Sequence, residues 1–210
     1  MRLVLASASP ARLATLTSAG IPAEVRVSGV DEDAALAAAH ARRGPQGADD
    51  DVAVLAQVKA AAVVAELGAG EADLVLGCDS MLELDGRTYG KPPTPADAVE
   101  RWHLMRGRSG VLHSGHCLVD LRGPAPVEVT RTASTVVHFA DLTDAEIEAY
   151  VATGEPLAVA GAFTVDGLGG PFVTGIEGDY HAVVGLSLPL LRELLGEVGV
   201  VVPDLWAARA

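Results

Sequence analysis

Cysteine, positive charge and long apolar runs are scarce or missing in this chain, and each lack excludes something. Cys78 and Cys117 are its only cysteines. Two thiols make neither a disulfide framework nor a C-x-x-C metal knuckle, which fits a reducing, cytoplasmic setting, and as small hydrophobes they suit strand interiors. Lysine and arginine number 15 against 28 aspartates and glutamates, a formal net charge of −13. Nucleic acids and anionic membranes are bound through many released counterions and need a basic face, so neither is an expected partner. A small anion needs only a few local cations. No uninterrupted apolar run reaches the roughly 18 residues of a membrane span, and the apolar stretch in the opening "MRLVLASASPAR" is too short for a secretory signal. The glycine spacing of a P-loop is missing too, which disfavours a kinase-like phosphotransferase. What is present is 210 residues, 50% hydrophobic, without internal repeat or long linker. One domain over 1–210, made of two closely joined lobes, is expected.

The stretch "LVLASASPARLATL" (3–16) starts as a strand at Leu3, Val4 and Leu5 and restarts as a helix. Ser9 reads as the N-cap and Pro10 as the first helical residue, where a missing amide hydrogen costs nothing. At such a junction the free amides and the positive dipole end point outward. Ser7, Ser9 and Arg12 add donors at the same place, which suits a phosphate; an ordinary capped helix is the competing reading. Val25 and Val27 mark a short strand, and Asp31, Glu32 and Asp33 open an alanine-rich helix, where acids commonly serve as caps and dipole partners. After the loop "RRGPQGADDD" comes the helix "DVAVLAQVKAAAVVAEL", with Val54, Leu55, Val58 and Ala62 at helical spacing and a stop at Gly68. Lys59 is the one cation in its middle, and a snorkelling side chain accounts for it as well as a ligand contact does.

The apolar run Leu74 to Leu76 reads as an interior strand that delivers Asp79 at its carboxyl end, where open α/β sheets place ligands. Asp85-Gly86 is a hairpin turn, and Gly90-Lys91-Pro92 follows the second strand, so Lys91 can fold back toward Asp79. Thr94, Pro95 and Asp97 open a helix; "SGVLHSGHCLVDL" and "VEVTRTASTVVHFA" read as two long paired strands; Thr143 and Glu146 box another helix. His113 and His116 stand three apart on a strand and so face opposite sides, which argues against a shared zinc. The tail is a glycine-rich meander with a closing helix after Ser187.

Taken together, Arg12, Glu32, Lys59, Asp79 and Lys91 offer two carboxylates for a divalent cation and three cations for a polyphosphate. The segments "LASASPARLATL", "VDE", "LAQVKA", "GCDSMLELDGRTYGKP", "EAYVATGEP", "AGAF" and "IEGDYHAVVGL" resemble, in that order, the Maf family over nearly the whole chain. The resemblance implies an α/β protein of the inosine triphosphatase-like fold: an elongated mixed sheet with flanking helices and a cleft between two lobes. It further implies a cytoplasmic nucleoside triphosphate pyrophosphatase that cleaves the α–β phosphoanhydride to a monophosphate and pyrophosphate. Ser7, Ser9 and Arg12 would hold phosphate, Lys59 and Lys91 would neutralise the triphosphate, and Glu32 and Asp79 would bind magnesium or manganese, with Asp79 also the base for water. The alternative is a noncatalytic nucleotide-binding regulator of septum formation. A homodimer is compatible with either.

Members acting on thymidine or uridine triphosphates resemble "EPxDKAGAYxxQG", whereas this chain reads "EPLAVAGAFTVDG", with Ala158, Val159, Phe163 and Asp166 at the differing positions. A second branch carries an acid near Asp166 and is associated with 7-methylguanosine triphosphate. A carboxylate accepts from N1 and N2 of guanine together but meets a single ring N–H on thymine or uracil, so Asp166 in a base pocket favours a guanine-like edge, with Phe163 as an apolar face beside it. The competing reading makes Asp166 only a turn residue with Gly167.

Overall fold

The computed structural model describes residues 1–44 and 46–206. In chain order the elements are β1 (Leu3–Ala6), α1 (Pro10–Ser18), β2 (Ala23–Val25), α2 (Glu32–Arg43), α3 (Ala48–Glu66), β3 (Leu74–Leu84), β4 (Arg87–Tyr89), α4 (Pro95–Met105), β5 (Ser109–Asp120), β6 (Val127–Phe139), α5 (Asp144–Ala152), β7 (Val173–Glu177), α6 (Tyr180–Val184) and α7 (Leu188–Glu197). Seven strands form one open mixed sheet in the order β2-β1-β3-β5-β6-β7, with β4 also on β3. β1 runs parallel to β2 and β3, and the remaining pairs are antiparallel. This is the expected mixed α/β architecture with flanking helices. No described helix is long and apolar enough to cross a membrane.

Local chemistry sets many boundaries. Asp31 and Ser187 cap α2 and α7 by accepting from the amides of Ala34 and Leu190, and Thr143 with Glu146 forms a reciprocal capping box on α5. Asp85 and Gly86 both take positive φ (53° and 72°) between the paired residues Leu84 and Arg87, as a two-residue hairpin turn requires. The glycine-rich stretch from Phe163 holds one short 3-10 turn, Gly170–Phe172, then β7 and the short helix α6, and two further 3-10 turns, Glu155–Ala158 and Ala160–Ala162, precede it.

Asp79 is not at the end of its strand. β3 continues to Leu84, and Asp79 lies in mid-strand opposite Gly115 of β5. What ends there is the neighbour. Ala6, the last residue of β1, pairs with Gly77, while β4 first joins the same edge at Leu82 opposite Tyr89. Cys78 to Met81 therefore have no strand partner on that side. Pro10 cannot donate to a ladder, so the chain leaves β1 for α1 at this point, and the uncovered edge opens beside the carboxyl end of a parallel strand, where such sheets place ligands.

Two apolar regions flank the gap. Leu3, Leu5, Leu74, Leu76 and Leu118 meet α1 and α7 on one face of the β1 end, and Val4, Val75 and Val119 meet α3 on the other. Leu82, Leu84 and Leu112 pack with Trp102, Phe139 and Tyr150 at the far end. α3 lies directly on the strands: a Cβ on Gly77 would collide with the carbonyl oxygen of Ala56, and one on Gly115 with that of Val52, one helical turn earlier. Gly77→Ala is accordingly expected to destabilise the protein by about 1–3 kcal/mol through overpacking. Urea unfolding checks this, and an unchanged midpoint would mean that α3 is free to move away.

Candidate active site

α3 carries Lys59 one turn beyond the glycine contact, on the face that looks at Asp79. The Lys59 Nζ lies 2.5 Å from Asp79 Oδ1 and 2.7 Å from Glu32 Oε1. Glu32 reaches it because α2 folds back along α3. His40 Nε2 meets Asp51 Oδ1 at 2.6 Å; the eight residues from His40 back to Glu32 match the eight from Asp51 on to Lys59, both about 12 Å of helix. One ammonium thus gathers two carboxylates from different elements. Lys59 and Asp79 side chains are each 11% exposed and Glu32 50%. Burial raises the pKa of Asp79 above the usual carboxylate value, and the opposing pulls of Lys59 and Arg12 do not cancel it. Asp79 Oδ2 makes no hydrogen bond among the described residues.

Arg12 is 8% exposed and bridges three parts of the fold. Its Nε donates to the Gly185 carbonyl at 2.8 Å, Nη1 to Ser7 Oγ at 2.7 Å and to the Cys78 carbonyl at 2.8 Å, and Nη2 to Ser80 Oγ at 3.1 Å. The Cys78 contact fills part of the uncovered β3 edge. Four of the five guanidinium N–H groups are therefore occupied. Ser114 Oγ donates to the Ala182 carbonyl, so the Ser80 hydroxyl donates to Ser114. Ser7 Oγ accepts from both Arg12 and the amide of Ser9, which leaves its own hydrogen free to donate outward. Ser9 occupies the N-cap position as expected, but its side chain makes no cap bond, so the first-turn amides of Ala11 and Arg12 have no side-chain cap among the described residues. Behind this network, burial pushes His116 down to about 4. Neutral, it accepts the Ser187 amide hydrogen at Nε2 and lies 3.0 Å from the Ser114 carbonyl at Nδ1. It is a core residue joining β5 to the start of α7.

Lys91 is exposed, with no ion pair or hydrogen bond among the described residues, two positions after Tyr89 where the chain runs back along β3 toward the gap. Asp166 is also exposed; it lines a groove of about 300 Å³ with Ala14, Thr15 and Ser18 of α1 and Tyr180 and His181 of α6. Phe163 departs from expectation. It is 4% exposed and packs edge-on against Phe139 at 5.0 Å between ring centres, so it presents no free face to a base.

Glu155 has a part that no sequence motif announces. Its carboxylate accepts from Tyr150 Oη, Thr164 Oγ1 and the amides of Leu168 and Gly169, closing the loop that carries Asp166. Burial would raise its pKa, but the hydrogen bonds from Thr164, Leu168 and Gly169 outweigh it and hold the pKa below the usual value. The chain does hold one further signal: Lys59 and Lys91 are the only lysines in a sequence that otherwise uses arginine.

Among the described residues no three His, Cys, Asp or Glu side chains converge as a metal cage. Glu32 and Asp79 converge as a pair of hard oxygen donors, without thiolate or imidazole. That set fits a cation such as magnesium, which is commonly held by one or two carboxylates and completes its shell with phosphate oxygens and water.

A family model described as Maf-like protein matches residues 2–198. The chain is 57% identical over 209 residues to a nucleoside triphosphate pyrophosphatase of Salinispora tropica, covering 99% of this chain and 88% of that one. It is 56% identical to a protein of the same name from Nocardia farcinica, over 97% and 96% of the two chains, and 54% identical to one from Leifsonia xyli, over 98% and 97%.

The raised pKa of Asp79 has a stability consequence. A group whose pKa is higher in the folded state favours folding fully below its unfolded value, and that contribution is lost as pH rises through the folded value. Asparagine does not titrate. With metal chelated, the stability of Asp79→Asn relative to the natural protein should therefore improve between about pH 4 and about pH 7. Urea unfolding at both pH values measures it, and a constant difference would contradict the raised pKa.

Proposed function

The chain belongs to the Maf-like family, and from that membership together with its site we infer that it is a nucleoside triphosphate pyrophosphatase, a hydrolase that acts on an acid anhydride. The observation that carries the reading is the convergence of Lys59, Asp79 and Glu32 beside the start of α1 and the buried Arg12. Arg12 and the first-turn amides of α1 lie on one side, and Glu32 and Asp79 with Lys59 between them on the other, a set suited to hydrolysis of a polyanion.

The phosphates bind at the first turn of α1, where Ser7, Ser9 and the last free N–H of Arg12 donate to them. Lys91 closes over the polyphosphate, and Lys59 neutralises it from within. Glu32 and Asp79 hold a divalent cation, magnesium or manganese, which supplies further charge neutralisation when bound. Asp79 Oδ2 takes a proton from a water that attacks the α-phosphorus; the bond from that phosphorus to the bridging oxygen breaks, and pyrophosphate leaves with the electron pair. Burial suits Asp79 to this step, because a base with a pKa moved toward neutrality is the stronger acceptor. The two lysines stabilise charge gathering on the leaving pyrophosphate. Such a substrate and two free, buried cysteines accord with the cytoplasm.

The base lies in the groove between α1 and α6, where Asp166 selects a guanine-like edge such as that of 7-methylguanosine triphosphate. Support comes from the exposure of Asp166 and from Glu155, which fixes the loop behind it.

Asp79→Asn is expected to abolish pyrophosphate release while leaving the fold intact. Lys59→Ala and Lys91→Ala should each lower kcat/KM about tenfold or more, the worth of a charge-assisted contact. Steady-state assays with magnesium or manganese decide both, and near-natural turnover of Asp79→Asn would sink the mechanism.

Asp166→Gln should shift the kcat/KM ratio from 7-methylguanosine triphosphate toward uridine or thymidine triphosphate. A natural enzyme that already prefers pyrimidines, or an unmoved ratio, would reject the base assignment alone.

A further inference from the structure

Arg101 of α4 is an unusual place for a guanidinium. It is buried, it has no carboxylate within ion-pair distance among the described residues, and its Nε is enclosed without a hydrogen-bond partner. A buried charge without a counterion is costly, so its contacts need a reason. There are two. Its Nη1 donates to the Gly90 carbonyl at 2.6 Å, and its Cζ lies over the Tyr89 ring, 4.9 Å from the ring centre. Tyr89 and Gly90 are the two residues immediately before Lys91.

The same Gly90 carbonyl also accepts the Gly161 amide hydrogen at 3.0 Å. Next to Arg101 on α4, Trp102 donates its indole N–H to the Ala162 carbonyl at 2.8 Å. Trp102 is itself immobilised, packed edge-on by Phe139, Tyr150 and Phe172. Two consecutive side chains of one rigid helix therefore hold two separate stretches of backbone. One leads directly into Lys91, and the other leads through Phe163 and Thr164 into the loop that carries Asp166.

We propose that Arg101 is a positioning residue for Lys91, and that Arg101 and Trp102 together make α4 the spacer between the triphosphate contact and the base-reading loop. The proposal rests on Lys91 being a triphosphate contact, as inferred above. Arg101 does not touch the substrate; it acts through the Gly90 carbonyl, which fixes where the Lys91 turn begins. Arg101→Lys keeps the charge and a donor but loses the guanidinium held over the Tyr89 ring, so the exchange is not conservative here.

A double-mutant cycle in pyrophosphate release tests it. Arg101→Met should lower kcat/KM for a nucleoside triphosphate by about the same factor as Lys91→Ala, and the double variant should be no more than about twofold worse than Lys91→Ala alone. Losses that multiply in the double variant would make Arg101 merely structural and overturn the proposal. Hydrogen exchange on the nucleotide-free protein provides a readout that does not depend on turnover. Arg101→Met should speed exchange over 89–91 and 160–163 while leaving α3 unchanged, and unaltered exchange in both segments overturns the proposal. If Arg101→Met does not fold, Arg101→Lys takes its place in both experiments. An inactive natural protein would reject the pyrophosphatase assignment, whereas exchange would still judge Arg101.

Discussion

Much of this molecule follows from how closely α3 lies on β3 and β5. A lysine can hold a mid-strand carboxylate at 2.5 Å only if no side chain separates its helix from the sheet. Gly77 and Gly115 remove those side chains directly under Ala56 and Val52, and Lys59 then falls onto Asp79. α2 is drawn into the same arrangement, since its His40–Asp51 contact sets the register that brings Glu32 to the same ammonium. In a chain with a net charge of −13, this is how two carboxylates can stand together beside the proposed phosphate site. The cation between them offsets their repulsion.

The proposed phosphate end is built differently. Arg12 has most of its hydrogen-bonding capacity committed to Ser7, Cys78, Ser80 and Gly185. Its charge is therefore fixed in place, and little reorganisation is required when an anion arrives. Lys91 is the opposite case, exposed and without a partner among the described residues, with its backbone approach fixed at Gly90. If Lys91 closes over the polyphosphate as proposed, the fixed charge of Arg12 and a movable cation suit a ligand that must enter, react and leave as two products.

What can be read from the chain divides along physical lines. Features governed by neighbours in sequence are legible: the Asp85-Gly86 turn, the caps at Asp31, Thr143 and Ser187, the pairing of β5 with β6. The placement of Asp79 is half legible. Its apolar approach announces a strand, but the polar step Asp79-Ser80 looks like the strand's end, although β3 runs on and it is β1 that stops. Phe163 misleads because one aromatic residue serves a core or a base pocket equally well until Phe139 is known to stand against it. Arg101 and Glu155 are invisible for a related reason: each holds backbone groups beyond its own helix or turn, and no side-chain pattern records that. The restriction of lysine to positions 59 and 91 is a usable signal, since an ammonium kept where arginine is otherwise used points to a need for its compact charge.

The proposed mechanism depends on attack of water at the α-phosphorus. Hydrolysis of a nucleoside triphosphate in oxygen-18 water, with products resolved by mass spectrometry, tests it most directly. The account predicts one labelled oxygen in the nucleoside monophosphate and none in the pyrophosphate. Label in the pyrophosphate would place the attack on the β-phosphorus, and release of orthophosphate with a nucleoside diphosphate would contradict the account altogether.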